Sequence, residues 1–198
     1  MKRLGVFGGS FDPIHFGHIH LALTLSEKHR LDQVLFIPAA HNPLKKPDPT
    51  HTYHRLEMTK LAIEDIPQFQ VDTIEIERSG PSFTVDTLRE LSIRERGKSE
   101  LFLLLGEDAL HSLHQWKDPE QICFMAVPLI LSRSQKYFPS LPELNPEIKK
   151  KLQEGWTAAP ILEISATDIR NRLRVNLFCE HLVPSKVLDY IRHHRLYL

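Results

Sequence analysis

Short apolar runs alternate with amphipathic stretches along this chain. Leu4–Phe7 is apolar and stops at Gly8-Gly9, which predicts a buried strand. His18–Lys28 carries Ile19, Leu21, Ala22, Leu23 and Leu25 at helical spacing and predicts a helix. Val34–Pro38 predicts a second strand, followed by a polar, proline-punctuated loop from Ala40 to Thr50. Tyr53–Asp65 predicts a helix through Leu56, Met58, Leu61, Ala62 and Ile63. Val71–Glu77 alternates with period two and predicts a strand exposed on one face. Beyond it come a helix over Thr84–Arg96, the most apolar strand over Leu101–Leu105, and short helices near Glu107 and Pro119. Ala126–Leu131 predicts a strand, and Tyr137–Pro146 is proline-rich and irregular. A last short strand is expected at Ile161–Ile164, then helices at Thr167–Leu173 and Ser185–His194.

This alternation predicts an α/β fold: a Rossmann-like, doubly wound, mainly parallel sheet with helices on both faces and a small C-terminal helical segment. We expect one domain over residues 1–198, its helical part starting near 165. Ligands of such sheets sit at the carboxyl ends of the strands. Three loops there carry suggestive chemistry: Gly8–His18, Ala39–Lys46 and Gly106–Asp108.

Composition narrows the partners. With 25 basic and 25 acidic residues the formal net charge is zero, which gives no support for a nucleic-acid or membrane-surface protein. No apolar run of transmembrane length occurs, and the start Met1-Lys2-Arg3 leads into a run too short for a signal peptide. The two cysteines, Cys123 and Cys179, read as reduced thiols. A cytoplasmic protein is expected. Most of the twelve histidines read as surface or packing residues.

His15 and His18 are different. In Gly8-Gly9-Ser10-Phe11-Asp12-Pro13-Ile14-His15-Phe16-Gly17-His18 the two glycines permit positive φ and close approach of backbone to a ligand. The histidines, three apart at the start of a helix, can converge on one point beside its N-terminal amides. This is an anion site suited to phosphate. The Walker pattern and the GxGxxG dinucleotide pattern are both absent, and a zinc site through the two histidines lacks a nearby third ligand.

The string resembles the HxGH signature of nucleotidyltransferases. It is more closely similar to bacterial nicotinate-mononucleotide adenylyltransferases, because further motifs follow in that family's order. They are Asn42-Pro43-Leu44-Lys45, His54-Arg55, Ser82–Leu88, Gly106-Glu107-Asp108, Trp116, Ile164–Arg170, Leu182-Val183-Pro184 and Tyr190-Ile191. Ala166 stands where the family commonly has a second serine, and Lys117 where an aromatic residue is frequent.

The resemblance implies AMP transfer from ATP to nicotinic acid mononucleotide, giving nicotinic acid adenine dinucleotide and pyrophosphate by direct in-line attack. It implies catalytic roles for His15, His18, Lys45 and Arg170. ATP contacts are implied for Gly8, Gly9, Ser10, Phe11, His15, His18, Gly106, Asp108, Ser165, Thr167 and Arg170. Mononucleotide contacts are implied for Lys45, Arg55, Thr84 and Trp116, with Arg133 a further candidate. Mg2+ is implied as a cofactor carried on the ATP phosphates, with no protein ligand named. Alternatives are an enzyme for nicotinamide mononucleotide or phosphopantetheine, and a non-catalytic nucleotide-binding sensor.

Overall fold

The computed structural model describes residues 1–44, 50–132, 138–160 and 162–198. The strands are β1 (Lys2–Gly9), β2 (Gln33–Pro38), β3 (Phe69–Val71), β4 (Ser99–Gly106), β5 (Val127–Ser132) and β6 (Trp156–Ala158). The helices are α1 (Phe16–Lys28), α2 (Thr52–Ile63), α3 (Ile74–Glu77), α4 (Thr84–Glu95), α5 (Glu107–Leu110), α6 (Pro119–Met125), α7 (Pro146–Glu154), α8 (Ala166–Arg174) and α9 (Ser185–His193). The strands form one parallel sheet in the order β3-β2-β1-β4-β5-β6, a Rossmann-like α/β arrangement. Leu4 lies opposite Leu101, Leu104 opposite Leu129, and Leu131 opposite Thr157. Leu101–Leu105 are buried at every position rather than alternately, the mark of a parallel strand covered on both faces.

The chain divides into two compact units. The first comprises Met1–Phe7, Leu21–Leu35 and Phe83–Ile161; the second comprises Gly8–His20, Phe36–Ser82 and Leu162–Leu198. In the first, α4 packs on α6 and α7 packs on β5. Cys123 in that unit and Cys179 in the second are buried free thiols. In the second, α2 packs on α9, and Lys186 of α9 pairs with Glu64 and with Asp65 (2.7 Å).

Three elements differ from the sequence pattern. The expected strand at 71–77 is a strand end at Val71 followed by the helical turn α3. Asp72 Oδ1 accepts from Ile74 N–H at 3.1 Å, and the Thr73 carbonyl accepts from Ile76 and Glu77. An Asx turn therefore overrides the period-two pattern. Helix α7 stands where no element was expected and starts at Pro146, the last residue of the stretch read as irregular. Asn145 caps it, accepting from Ile148 N–H at 3.0 Å, and Pro146 sits where no helical N–H is needed. The last strand is β6 rather than 161–164, whose described residues 162–164 are not strand. β6 begins beside Gly155, where a Cβ would lie 1.8 Å from the Pro128 carbonyl oxygen. Only glycine lets the chain approach β5 that closely.

Candidate active site

The turn between β1 and α1 lies in the second unit and is built around Phe11. Neither Gly8 nor Gly9 takes up positive φ; the left-handed residue is Phe11, at φ 51°. Its ring is buried, and a Cβ on Gly9 would meet it at 2.9 Å. Gly9 is thus required for close approach of an aromatic ring, not for backbone freedom. Nothing lies within 4 Å of a Cβ on Gly8. The Phe11 ring stands edge-on to His18 at 5.1 Å.

His15 and His18 stack, ring centroids 3.7 Å apart and planes 29° apart. The His15 N–H donates to His18 Nδ1 at 3.2 Å, and the His15 carbonyl accepts from His18 N–H at 3.0 Å. An accepting Nδ1 puts the neutral ring's proton of His18 on Nε2. Burial lowers the His15 pKa to about 4, so this ring is neutral at neutral pH. Ser10 Oγ and His15 Nδ1 are buried without a hydrogen-bond partner among the described residues. Such atoms suit a ligand that supplies the missing bond.

α8 reaches the same turn. Ser165 caps it, its hydroxyl accepting from Asp168 N–H at 3.5 Å. Arg170 donates through Nη1 to the Asp12 carbonyl at 2.7 Å and through Nη2 to the Thr167 hydroxyl at 3.0 Å. Its hydrogen bonds thus go to neutral oxygens. The buried Asp12 carboxylate accepts from the Tyr197 hydroxyl.

Arg55 supports the turn from beneath. The side chain is 1% exposed. Nε donates to the Thr50 carbonyl (3.2 Å), Nη1 to the Ser10 carbonyl (2.7 Å), and Nη2 to the Ala39 carbonyl (2.7 Å) and Thr52 hydroxyl (3.0 Å). One fork thereby joins the start of the turn to the segment after β2. Ser82 Oγ braces that segment, accepting from Ala40 N–H (3.0 Å) and His41 N–H (3.3 Å).

Thr84, Trp116, Gly106 and Asp108 belong to the first unit. Thr84 opens α4. Lys117 pairs with Asp86 of that helix at 2.9 Å and sits 4.7 Å over the Phe83 ring. Trp116 is half-buried, its indole N–H directed at Ser112 Oγ at 3.4 Å. Gly106 ends β4 and precedes α5, which carries an exposed Asp108. Lys45 and Arg133 lie outside the described residues. Sequence reasoning passed over two members of the cluster at the turn. Asp12 sits inside the motif, between residues that draw more attention, and Tyr197 belongs to no local pattern at all.

The cytidylyltransferase-like family profile matches residues 6–172. A probable nicotinate-nucleotide adenylyltransferase of Herpetosiphon aurantiacus is 40% identical, with both chains covered completely. One of Thermomicrobium roseum is 38% identical over all of this chain and 92% of its own. This chain belongs to the nicotinate-nucleotide adenylyltransferase family. The family fold is shared by the Plasmodium falciparum nicotinic acid mononucleotide adenylyltransferase solved in complex with NaAD. That match has TM-score 0.78 and 19% identity, covering 100% of this chain and 98% of the other. Nucleotidyltransferases generally pair ATP with a divalent metal. Among the described residues no group of three His, Cys, Asp or Glu side chains is placed to hold one. The imidazoles, hydroxyls and guanidinium at this family's signature turn are groups whose chemistry suits phosphate oxygens and the cation those oxygens carry. Among those residues, no helix is long and apolar enough to cross a membrane.

Proposed function

We propose that the chain transfers AMP from ATP to nicotinic acid mononucleotide, as one catalytic domain working in the cytoplasm. The observation that supports this reading is the joining of two groups of side chains suited to phosphate. The His15–His18 pair at the start of α1 and Arg170 of α8 both meet the segment around Asp12. A mononucleotide 5′-phosphate oxygen attacks the α-phosphorus of ATP. The bond from that phosphorus to the oxygen bridging to the β-phosphorus breaks, and pyrophosphate leaves with the electron pair. No bond to the protein forms.

The chain's work is positioning and charge neutralisation. His18 donates from Nε2 to the α-phosphate as charge grows there. Neutral His15 and the Ser10 hydroxyl complete the contacts of the turn, and the open space at Gly8 admits the phosphate chain. Arg170 and Lys45 neutralise the phosphates, and Ser165 and Thr167 hold the β,γ side at the head of α8. Gly106 and Asp108 receive the ATP ribose. Thr84 and Trp116 take the pyridine ring and its carboxylate. Arg55 serves the mononucleotide by holding the backbone of Ser10 and Ala39 in place. Charge on the phosphates would be drawn off further by Mg2+ carried on the ATP, with no residue of this chain assigned to hold it.

Pyrophosphate release in the presence of ATP, Mg2+ and nicotinic acid mononucleotide tests the assignment. Release that requires all three components supports transfer. Nucleotide binding without any release would leave a sensor module instead.

A further inference from the structure

Lys117 follows Trp116 in the chain and reaches back to the start of α4, all within the first unit. Its ammonium lies 2.9 Å from Asp86 Oδ2 and 4.7 Å from the centre of the Phe83 ring, a cation–π contact. Phe83 is the N-cap of α4, Thr84 its first residue and Asp86 its third, so the ammonium sits beside the first helical turn. The side chain of Phe83 caps no N–H of that turn. Asp86 is shared: Arg89 Nη1 approaches it at 3.0 Å, while Arg89 Nη2 reaches Asp118 at 3.5 Å. Two cations and two carboxylates thus balance around one helix start. Lys117 keeps 42% of its side chain exposed, so it is not sealed off from a ligand beside the turn.

We propose that Lys117 is a specificity-determining residue, favouring the mononucleotide that carries a carboxylate over the one that carries an amide. The inference deepens the proposed transfer reaction and rests on its assignment of the pyridine ring and carboxylate to Thr84 and Trp116. Both residues adjoin the ion pair: Trp116 precedes Lys117, and Thr84 lies two residues before Asp86. One helical turn rises about 5.4 Å, so a carboxylate received at Thr84 lies within about one turn of the pair. At that range a unit charge is felt even in partly solvated surroundings. Lys117 attracts the carboxylate and also covers Asp86, which repels it. Losing the lysine therefore removes an attraction and uncovers a repulsion. The amide carries no net charge and feels neither. Carboxylate and amide are both planar and close in size, so stacking on an indole hardly tells them apart, whereas charge does. The carboxylate takes no part in bond making, so its contact is alike in ground and transition states and shows in KM rather than kcat.

A charge series tests this: the native protein, Lys117→Gln, Asp86→Asn and the double variant. Relative to native, the helix start becomes one charge more negative, one more positive, and unchanged. For each, kcat and KM for nicotinic acid and nicotinamide mononucleotides are measured by pyrophosphate release at saturating ATP and Mg2+, at low and high salt, with the melting midpoint. The acid-to-amide ratio of kcat/KM is expected to fall about fivefold in Lys117→Gln, the scale of one unit charge several ångströms away. It is expected to rise about twofold in Asp86→Asn, since Arg89 already offsets part of that carboxylate, and to return to within about twofold of native in the double variant. The change lies in KM for the acid and shrinks at high salt. Lys117→Arg, which keeps the charge, is expected to keep the native ratio. An unmoved ratio in Lys117→Gln, or no return in the double variant, overturns the proposal. Equal losses for both substrates would mark a structural residue and overturn it too. If Asp86→Asn melts below the assay temperature, Lys117→Glu replaces it; a larger fall than in Lys117→Gln is then expected, and an equal or smaller one overturns the proposal. No pyrophosphate from either mononucleotide with the native protein removes the transfer reading and this proposal with it. Normal release with a ratio blind to the charge series removes the proposal alone.

Discussion

The stacked histidines, identical as residue types, differ in setting: one is buried and the other accepts from the chain at Nδ1. His18 uses Nδ1 to accept from the chain and so presents Nε2–H, the arrangement of a hydrogen-bond donor to growing charge. His18→Ala is expected to lower kcat by roughly 10²–10³ with a much smaller loss of ATP affinity. Near-normal turnover would remove His18 from the chemistry. His15 is held neutral by burial, which links it to stability. Its pKa is about 4 in the folded chain against an ordinary 6.5 when unfolded. Above 6.5 both states are neutral. Between 6.5 and 4 the unfolded chain takes up a proton that the folded chain refuses, so stability falls with falling pH, by about 3 kcal/mol in all. Denaturant melts at about pH 7 and about pH 4.5 are expected to show a steeper acid loss for the native protein than for His15→Phe. Parallel losses would contradict the neutral assignment. These residues were legible from their spacing, since a helix start brings positions three apart together. The backbone geometry was not. The left-handed position falls on Phe11, a bulky residue no turn rule selects, because its ring has a place over Gly9 and against His18.

Among the elements, the long and strongly patterned ones follow from the sequence: β1, α1, β2, α2, α4, β4 and β5 lie within a few residues of expectation. α8 and α9 match expectation to within one residue and α5 and α6 start where expected, whereas α3, α7 and β6 depended on forces that apolar periodicity does not record. α3 arises from an Asx turn at Asp72. α7 buries only Ile148 and Leu152 among charged residues, too thin a stripe to register, although Asn145-Pro146 is a start signal in plain sight. β6 is set by a backbone contact at Gly155. Arg55 shows the same dependence on tertiary context. As a cation in the segment 50–55 it reads as a ligand for phosphate, yet its fork is committed to backbone carbonyls of two loops. Replacing it by Met strands buried acceptors at Thr50, Ser10 and Ala39. Arg55→Met is therefore expected to destabilise the fold by roughly 3 kcal/mol or more. Urea unfolding reads this directly, and a change under about 1 kcal/mol would show the carbonyls finding other donors.

For the whole molecule, the order of motifs along the chain carried more information than any one of them. The glycine–histidine turn alone reads only as a phosphate site at a helix start. Its joining to α8 through Asp12 and Arg170 depends on residues far apart in sequence, as does the Tyr197 contact. Family membership, with 40% identity across the full length of a relative, then fixes the kind of chemistry to look for. Acid over amide remains the sharpest part of the assignment, because the two mononucleotides differ by a single group on the pyridine ring. The decisive measurement is kcat/KM for nicotinic acid and nicotinamide mononucleotides under identical ATP and Mg2+, with dinucleotide and pyrophosphate followed together. One pyrophosphate per dinucleotide and a clear preference for the acid are expected. Equal rates, or faster turnover of the amide, would contradict the account.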